Sequence, residues 1–196
     1  MDNVANASVL AEVWFGESDG MKDLAVVNVS EGIGAGIFVD GRILRGSDGM
    51  AGEFGHVQIE SDSPLCACGG TGCWESFASN RAGLRYYQEI TGKSTPTTFE
   101  ALVRMAQKWR WPCHSGYREN FLVPGTRVTY DRRCAAPTEI VVVGEITNAW
   151  YLFGAKIEAE MMHNSLPSPP RLRPSVEAST ARLHSAVALV MNEGSL

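Results

Sequence analysis

Apolar and polar positions follow two rhythms along this chain. In residues 6–16, NASVLAEVWFG, an apolar face of Ala7, Leu10, Ala11 and Val13 to Phe15 predicts a helix, and Gly16 suits its end. Residues 23–30, DLAVVNVS, form a short β-branched run and predict a buried strand. A second run follows in 32–46, GIGAGIFVDGRILRG, where Asp40-Gly41 between apolar stretches signals a hairpin turn. Helical spacing returns in 75–92, with a break at Ser79-Asn80 and Gly92 closing the segment. In 95–108, Thr97 stands three residues before Glu100 and predicts a capping box, with Phe99, Leu102, Val103, Met105 and Ala106 as the apolar face. EIVVVG at 139–144 reads as another buried strand, 148–166 as helix, 167–174 as a proline-rich linker, and 179–194 as a terminal amphipathic helix. Strands alternating with helices predict an α/β class.

One stretch keeps no period. Residues 109–137 are rich in arginine, carry Cys113 and Cys134, and read as irregular. Structureless loops of that length are uncommon inside compact domains.

Composition narrows the function. The net charge is −5 with no basic cluster, which argues against a nucleic-acid groove. No apolar run reaches the roughly 18–20 residues of a membrane span. The N-terminus has no basic n-region and does not read as a signal peptide, so a cytoplasmic location is expected. Three of the five cysteines crowd into one loop, which in such a chain favours metal over disulfides.

That loop holds the densest chemistry. Cys66, Cys68 and Cys73 offer three thiolates within eight residues, and Gly69, Gly70 and Gly72 let the backbone fold back so that they converge. His56 is the candidate fourth ligand of a tetrahedral zinc. A full Cys3His set leaves no position for water, so the expected zinc is structural rather than catalytic. The alternative is three free structural thiols.

Residues 32–83 resemble the signature region of the ROK family, named for repressors, open reading frames and kinases. The elements that carry the resemblance are GEFGH at 52–56 and CACGGTGCWE at 66–75. It continues through residues 2–16, 139–150 and 181–194, and fails across 109–137. The resemblance implies an actin-like, ribonuclease-H-like α/β lobe with a zinc-stabilised loop, in incomplete form. Residues 1–16 would be a remnant of the interlobe helix and 17–196 the C-terminal lobe. It also implies a hexose site at Glu53, His56 and Glu75, with Asn3 in reach of a hydroxyl. Carboxylates suit sugar hydroxyls because each oxygen accepts charge-assisted hydrogen bonds.

Kinases of that family use the Asp of an Asn-Asp pair as base, and position the γ-phosphate of ATP with loops from two lobes. Here Asn3 is followed by Val4, which cannot accept a proton. Gly32, Gly34 and Gly36 mark the remnant of the second phosphate loop, where Glu31 would repel phosphate. The first loop and the winged helix-turn-helix of the family's repressors are expected to be missing. The break at 109–137 reads as a shifted frame or an insertion. A non-catalytic sugar-sensing fragment of a transcriptional regulator is therefore expected, with zinc, a small sugar ligand, a homo-oligomeric partner and no DNA binding by this chain alone. A sugar kinase using ATP is the competing enzyme reading, and a zinc-stabilised protein without ligand is the third.

Overall fold

The computed structural model describes residues 3–18, 20–61, 64–109, 137–163, 169–175 and 187. Strands β1 (Leu24–Val29), β2 (Ile33–Val39), β3 (Arg42–Ile43), β4 (Glu139–Val143) and β5 (Arg171–Pro174) form one sheet of order β3-β2-β1-β4-β5. β2 pairs antiparallel with both β1 and β3, while β4 runs parallel to β1 and β5 parallel to β4. The β2–β3 turn uses positive φ at Asp40 (53°) and Gly41 (80°), the hairpin geometry that Asp-Gly favours.

Both faces of the sheet are covered, which explains the apolar runs Leu24–Val27 of β1 and Ile140–Val143 of β4. Leu24, Val26, Phe38, Val141 and Val143 meet Val9 of helix α1 (Val4–Phe15) on one face. Ala25, Val27, Val29, Ile33, Ile140, Val142 and Leu172 meet Trp74 and Met161 on the other. Helix α1 lies directly across β2. A Cβ at Gly36 would collide with Val9 and the Ala5 backbone, and one at Gly34 would come 3.2 Å from the Ala5 Cβ. These two glycines thus have a packing reason that involves no phosphate.

The remaining helices are α2 (Glu75–Ala78), α3 (Asn80–Thr91), α4 (Phe99–Trp109) and α5 (Trp150–His163), the last preceded by a 3-10 turn over Glu145–Ala149. The Ser79 side chain caps α3 by accepting from the Ala82 amide, and Gly92 closes it at φ 67°. Helix α4 is capped one residue later than expected: the Thr98 hydroxyl, not Thr97, accepts from the Ala101 amide. Phe99, Val103 and Ala149 form a small separate core there.

The proline-rich segment corrects the sequence reading. Residues 171–174 are not linker but edge strand β5, in register with residues 139–142 of β4. Pro174 is tolerated because an edge strand need not donate on both sides. Arg173 is buried because Glu12 and Glu139 are buried beside it. Its Nη2 lies 3.0 Å from Glu12 Oε2 and 2.7 Å from Ser18 Oγ. Its Nε is 3.1 Å from Glu139 Oε1, a close ionic contact off the N–H direction. Ser175 donates to the other Glu12 oxygen. Burial alone would lower the Arg173 pKa, but Glu139 and Glu12 together raise it above the usual arginine value. The irregular reading of 109–137 and the terminal helix at 179–194 fall outside the described residues, apart from residues 109, 137 and 187.

Candidate functional site

The cysteine loop folds as a miniature hairpin. Gln58 pairs with Cys73 and Leu65 with Thr71. The Cys66 amide donates to the Gly70 carbonyl at 2.8 Å and the Gly69 amide to the Cys66 carbonyl at 3.0 Å, closing a tight turn with Gly69 at φ 90°. This turn brings Cys68 back over Cys66 and Cys73. The Trp74 amide then donates to the Val57 carbonyl at 2.9 Å, tying the loop to the 3-10 turn Phe54–His56. That turn is held against β2 by the Ala35 amide, which donates to the Gly52 carbonyl at 3.0 Å. Gly52, at φ 91°, must be glycine: a side chain would overlap the Ala35 carbonyl.

His56, Cys66, Cys68 and Cys73 therefore present four donor atoms, all within 4.8 Å of one another. Tetrahedral zinc with Zn–S bonds of ~2.3 Å and a Zn–N bond of ~2.05 Å sets its donors about 3.6–3.8 Å apart. Cys68 Sγ and Cys73 Sγ are 3.7 Å apart, and Cys66 Sγ is 3.6 Å from His56 Nδ1. The donor set fits a structural zinc in residue type and number, and these two donor pairs already stand at its spacing. The Gly70 backbone, then Cys66 and Cys73, hydrogen-bond Cys68 and hold its thiol below the ordinary value, whereas burial pushes Cys73 up to about 12. Metal uptake must displace the Cys73 proton, so apparent affinity should rise with pH.

The four candidate sugar residues form a chain of contacts around this cluster. Asn3 caps α1 through Oδ1, and its Nδ2 donates to Glu53 Oε1 at 3.2 Å. Glu53 Oε2 lies 3.9 Å from His56 Nε2, and both side chains keep 36% of their surface exposed. His56 Nδ1 faces Cys66, and Cys66 Sγ is 3.8 Å from Glu75 Oε1. Glu75 Oε2 accepts from the Ile33 amide at 3.0 Å. The second nitrogen of His56, read from the sequence as free for a hydroxyl, thus faces the Glu53 carboxylate. Val4 begins α1 beside Asn3 and is 67% exposed.

Sequence reasoning missed a second polar cluster, at the C-terminal ends of β1 and β4. Asn80, fully buried, donates from its side chain to Glu145 and from its amide to the Ser30 carbonyl at 2.8 Å. Arg81 pairs with Glu31 at 3.4 Å. No local pattern in the sequence announces these contacts, because the partners are 50 and 65 residues apart.

Among known proteins, the ROK family model matches residues 1–192. A xylose repressor from Caldicellulosiruptor bescii is 46% identical over 90 residues, covering 46% of this chain and 23% of the relative. A glucokinase from Streptomyces coelicolor is 37% identical over 105 residues, covering 54% of this chain and 33% of the relative. The chain thus spans only a minor part of these curated relatives. The fold matches a ROK family glucokinase from Streptomyces griseus, solved with glucose and AMPPNP, at TM-score 0.82 and 24% identity over 96% of this chain and 67% of that one. It also matches a ROK family transcriptional regulator, a homolog of the E. coli MLC protein, at TM-score 0.79 and 26% identity over 98% of this chain and 52% of that one. Among the described residues no helix is long and apolar enough to cross a membrane.

Proposed function

The chain belongs to the ROK family, and on that premise we propose that it is a sugar-binding module of the regulator kind that holds a structural zinc and transfers no phosphate. The observation that carries this reading is Val4. It follows Asn3, which touches Glu53, and by resemblance to the family it stands at the position where a kinase needs a carboxylate base. A valine there leaves binding groups and removes the proton acceptor. General-base assistance is typically worth about 10²–10⁴-fold.

His56, Cys66, Cys68 and Cys73 would hold the zinc, which when bound cross-links the loop to the Phe54–His56 turn. The chain's own residues do the rest. Glu53, held by Asn3, offers a carboxylate to neighbouring hydroxyls, and Glu75 offers its Oε1. His56, fixed on its Nδ1 side, keeps its ring in one orientation beside Glu53.

The residues present do not suit ATP. In open α/β sheets ligands bind beyond the C-terminal ends of parallel strands. Glu31 and Glu145 stand at those ends of β1 and β4; Arg81 is already paired with Glu31, so Glu145 adds a carboxylate that opposes a triphosphate. The likeness to the Streptomyces coelicolor glucokinase supports the enzyme reading instead, and one assay separates the two. Coupled ADP release with glucose, xylose and N-acetylmannosamine should give no sugar-dependent turnover, and Val4→Asp should not create it. Turnover by the unaltered chain that vanishes in Glu53→Ala would establish a kinase.

A further inference from the structure

Gly32 has no obvious need to be glycine. Its φ is not positive, so alanine is permitted by the backbone there. What a side chain would meet is Glu75, whose Oε2 would be overlapped by a Cβ at position 32, so alanine there requires the carboxylate to leave its place. That same oxygen accepts the Ile33 amide at 3.0 Å, across a sequence separation of 42 residues. Glu75 is partly buried and directly follows Trp74, which is 4% exposed in the sheet core. The other oxygen, Oε1, lies 3.8 Å from Cys66 Sγ.

Two further contacts from the same short segment reach the same turn. The Asn80 amide donates to the Ser30 carbonyl, and Arg81 pairs with Glu31. Residues 75–81 therefore hold 30–33 at three points, and they begin two residues after the candidate metal ligand Cys73.

We propose that Glu75 is a positioning residue that clamps the β1–β2 turn to the cysteine loop, and that Gly32 is glycine to admit its carboxylate. One oxygen is committed to the backbone, so only Oε1 is left to meet a hydroxyl, and its direction is set by the Ile33 amide. Order in the metal loop is thereby transmitted to residues 30–33, through a chain of contacts rather than through the sheet. The link to metal and sugar rests on the function proposed above; the clamp itself does not.

The two are separable by a double-mutant cycle on Gly32→Ala and Glu75→Ala, read by hydrogen exchange at the Ile33 amide and by zinc affinity from chelator competition. In the parent chain Gly32→Ala should speed Ile33 exchange and weaken zinc roughly 10-fold, at the low end of the effect of disturbing groups behind metal ligands. In the Glu75→Ala background, where the space is empty, it should change neither. Glu75→Gln keeps an acceptor for Ile33 and should retain most of that amide's protection, which Glu75→Ala loses. Equal effects of Gly32→Ala in both backgrounds, or Ile33 exchange unmoved by Glu75→Ala, would overturn the clamp. If the chain binds no zinc, the exchange cycle still reads the clamp, and only the zinc arm falls with the proposed function. Zinc binding with Ile33 protection unchanged by metal would refute the transmission.

Discussion

Replacing Cys68 and Cys73 together by serine is expected to abolish the proposed zinc binding and to lower the stability of the domain steeply. Serine oxygens are poor substitutes for thiolates at a tetrahedral zinc, and loss of two of four donors leaves His56 and Cys66 alone. A ligand confined to the native state stabilises it by about 4 kcal/mol when free ligand is 1,000-fold above its Kd. For a chain of this size that corresponds to roughly 8–16 °C in Tm. The loss should reach the core, because Trp74 joins the loop directly to the sheet cluster of Val27, Val29 and Ile140. Metal analysis and thermal melts with and without chelator give the test. Zinc content equal in parent and double variant would remove the metal centre from this account, whatever the melts show.

The second large effect is expected at Arg173. Arg173→Met should destabilise the fold by about 3–5 kcal/mol, because it leaves the Glu12 and Glu139 carboxylates buried without their cation. Glu139 is 1% exposed and Glu12 5%, so water cannot take over. The exposed Arg171, 3.7 Å from Glu139, can compensate only one of the two. Adding Glu12→Gln to Arg173→Met should recover part of the loss, since the carboxylate left without a cation then disappears. Urea unfolding of the parent, the single variants and the double gives the comparison. A cost below about 1 kcal/mol for Arg173→Met would mean that the cluster is hydrated in solution and holds β5 weakly.

The contrast between these sites shows what a sequence discloses. β1, β2 and β4 were legible because both faces of the sheet are buried, so nearly all their residues are apolar or glycine. The Asp40-Gly41 hairpin and the Ser79 break were legible because turn and cap chemistry is local. β5 was not: Arg171, Arg173 and Pro174 look like linker until Glu12 and Glu139 arrive from elsewhere in the chain to accommodate the arginine. The same division runs through the candidate site. His56 and the three cysteines are close in sequence, so their convergence could be read from spacing. The Asn3–Glu53 contact and the Glu75 bond to the Ile33 amide join residues 50 and 42 apart, and nothing in the local pattern predicts them. Gly34 and Gly36 resembled a phosphate loop, yet each lies where α1 crosses β2, so packing accounts for them without a nucleotide.

Calorimetric titration of the zinc-loaded chain with xylose, glucose and N-acetylmannosamine, without nucleotide, tests the central claim most directly. Saturable binding of at least one of these sugars is expected. Glu53→Ala should weaken it by more than about tenfold, the value of one charge-assisted hydrogen bond of roughly 1.5–3 kcal/mol. Absence of binding by all three sugars, or binding that Glu53→Ala leaves unchanged, would contradict it.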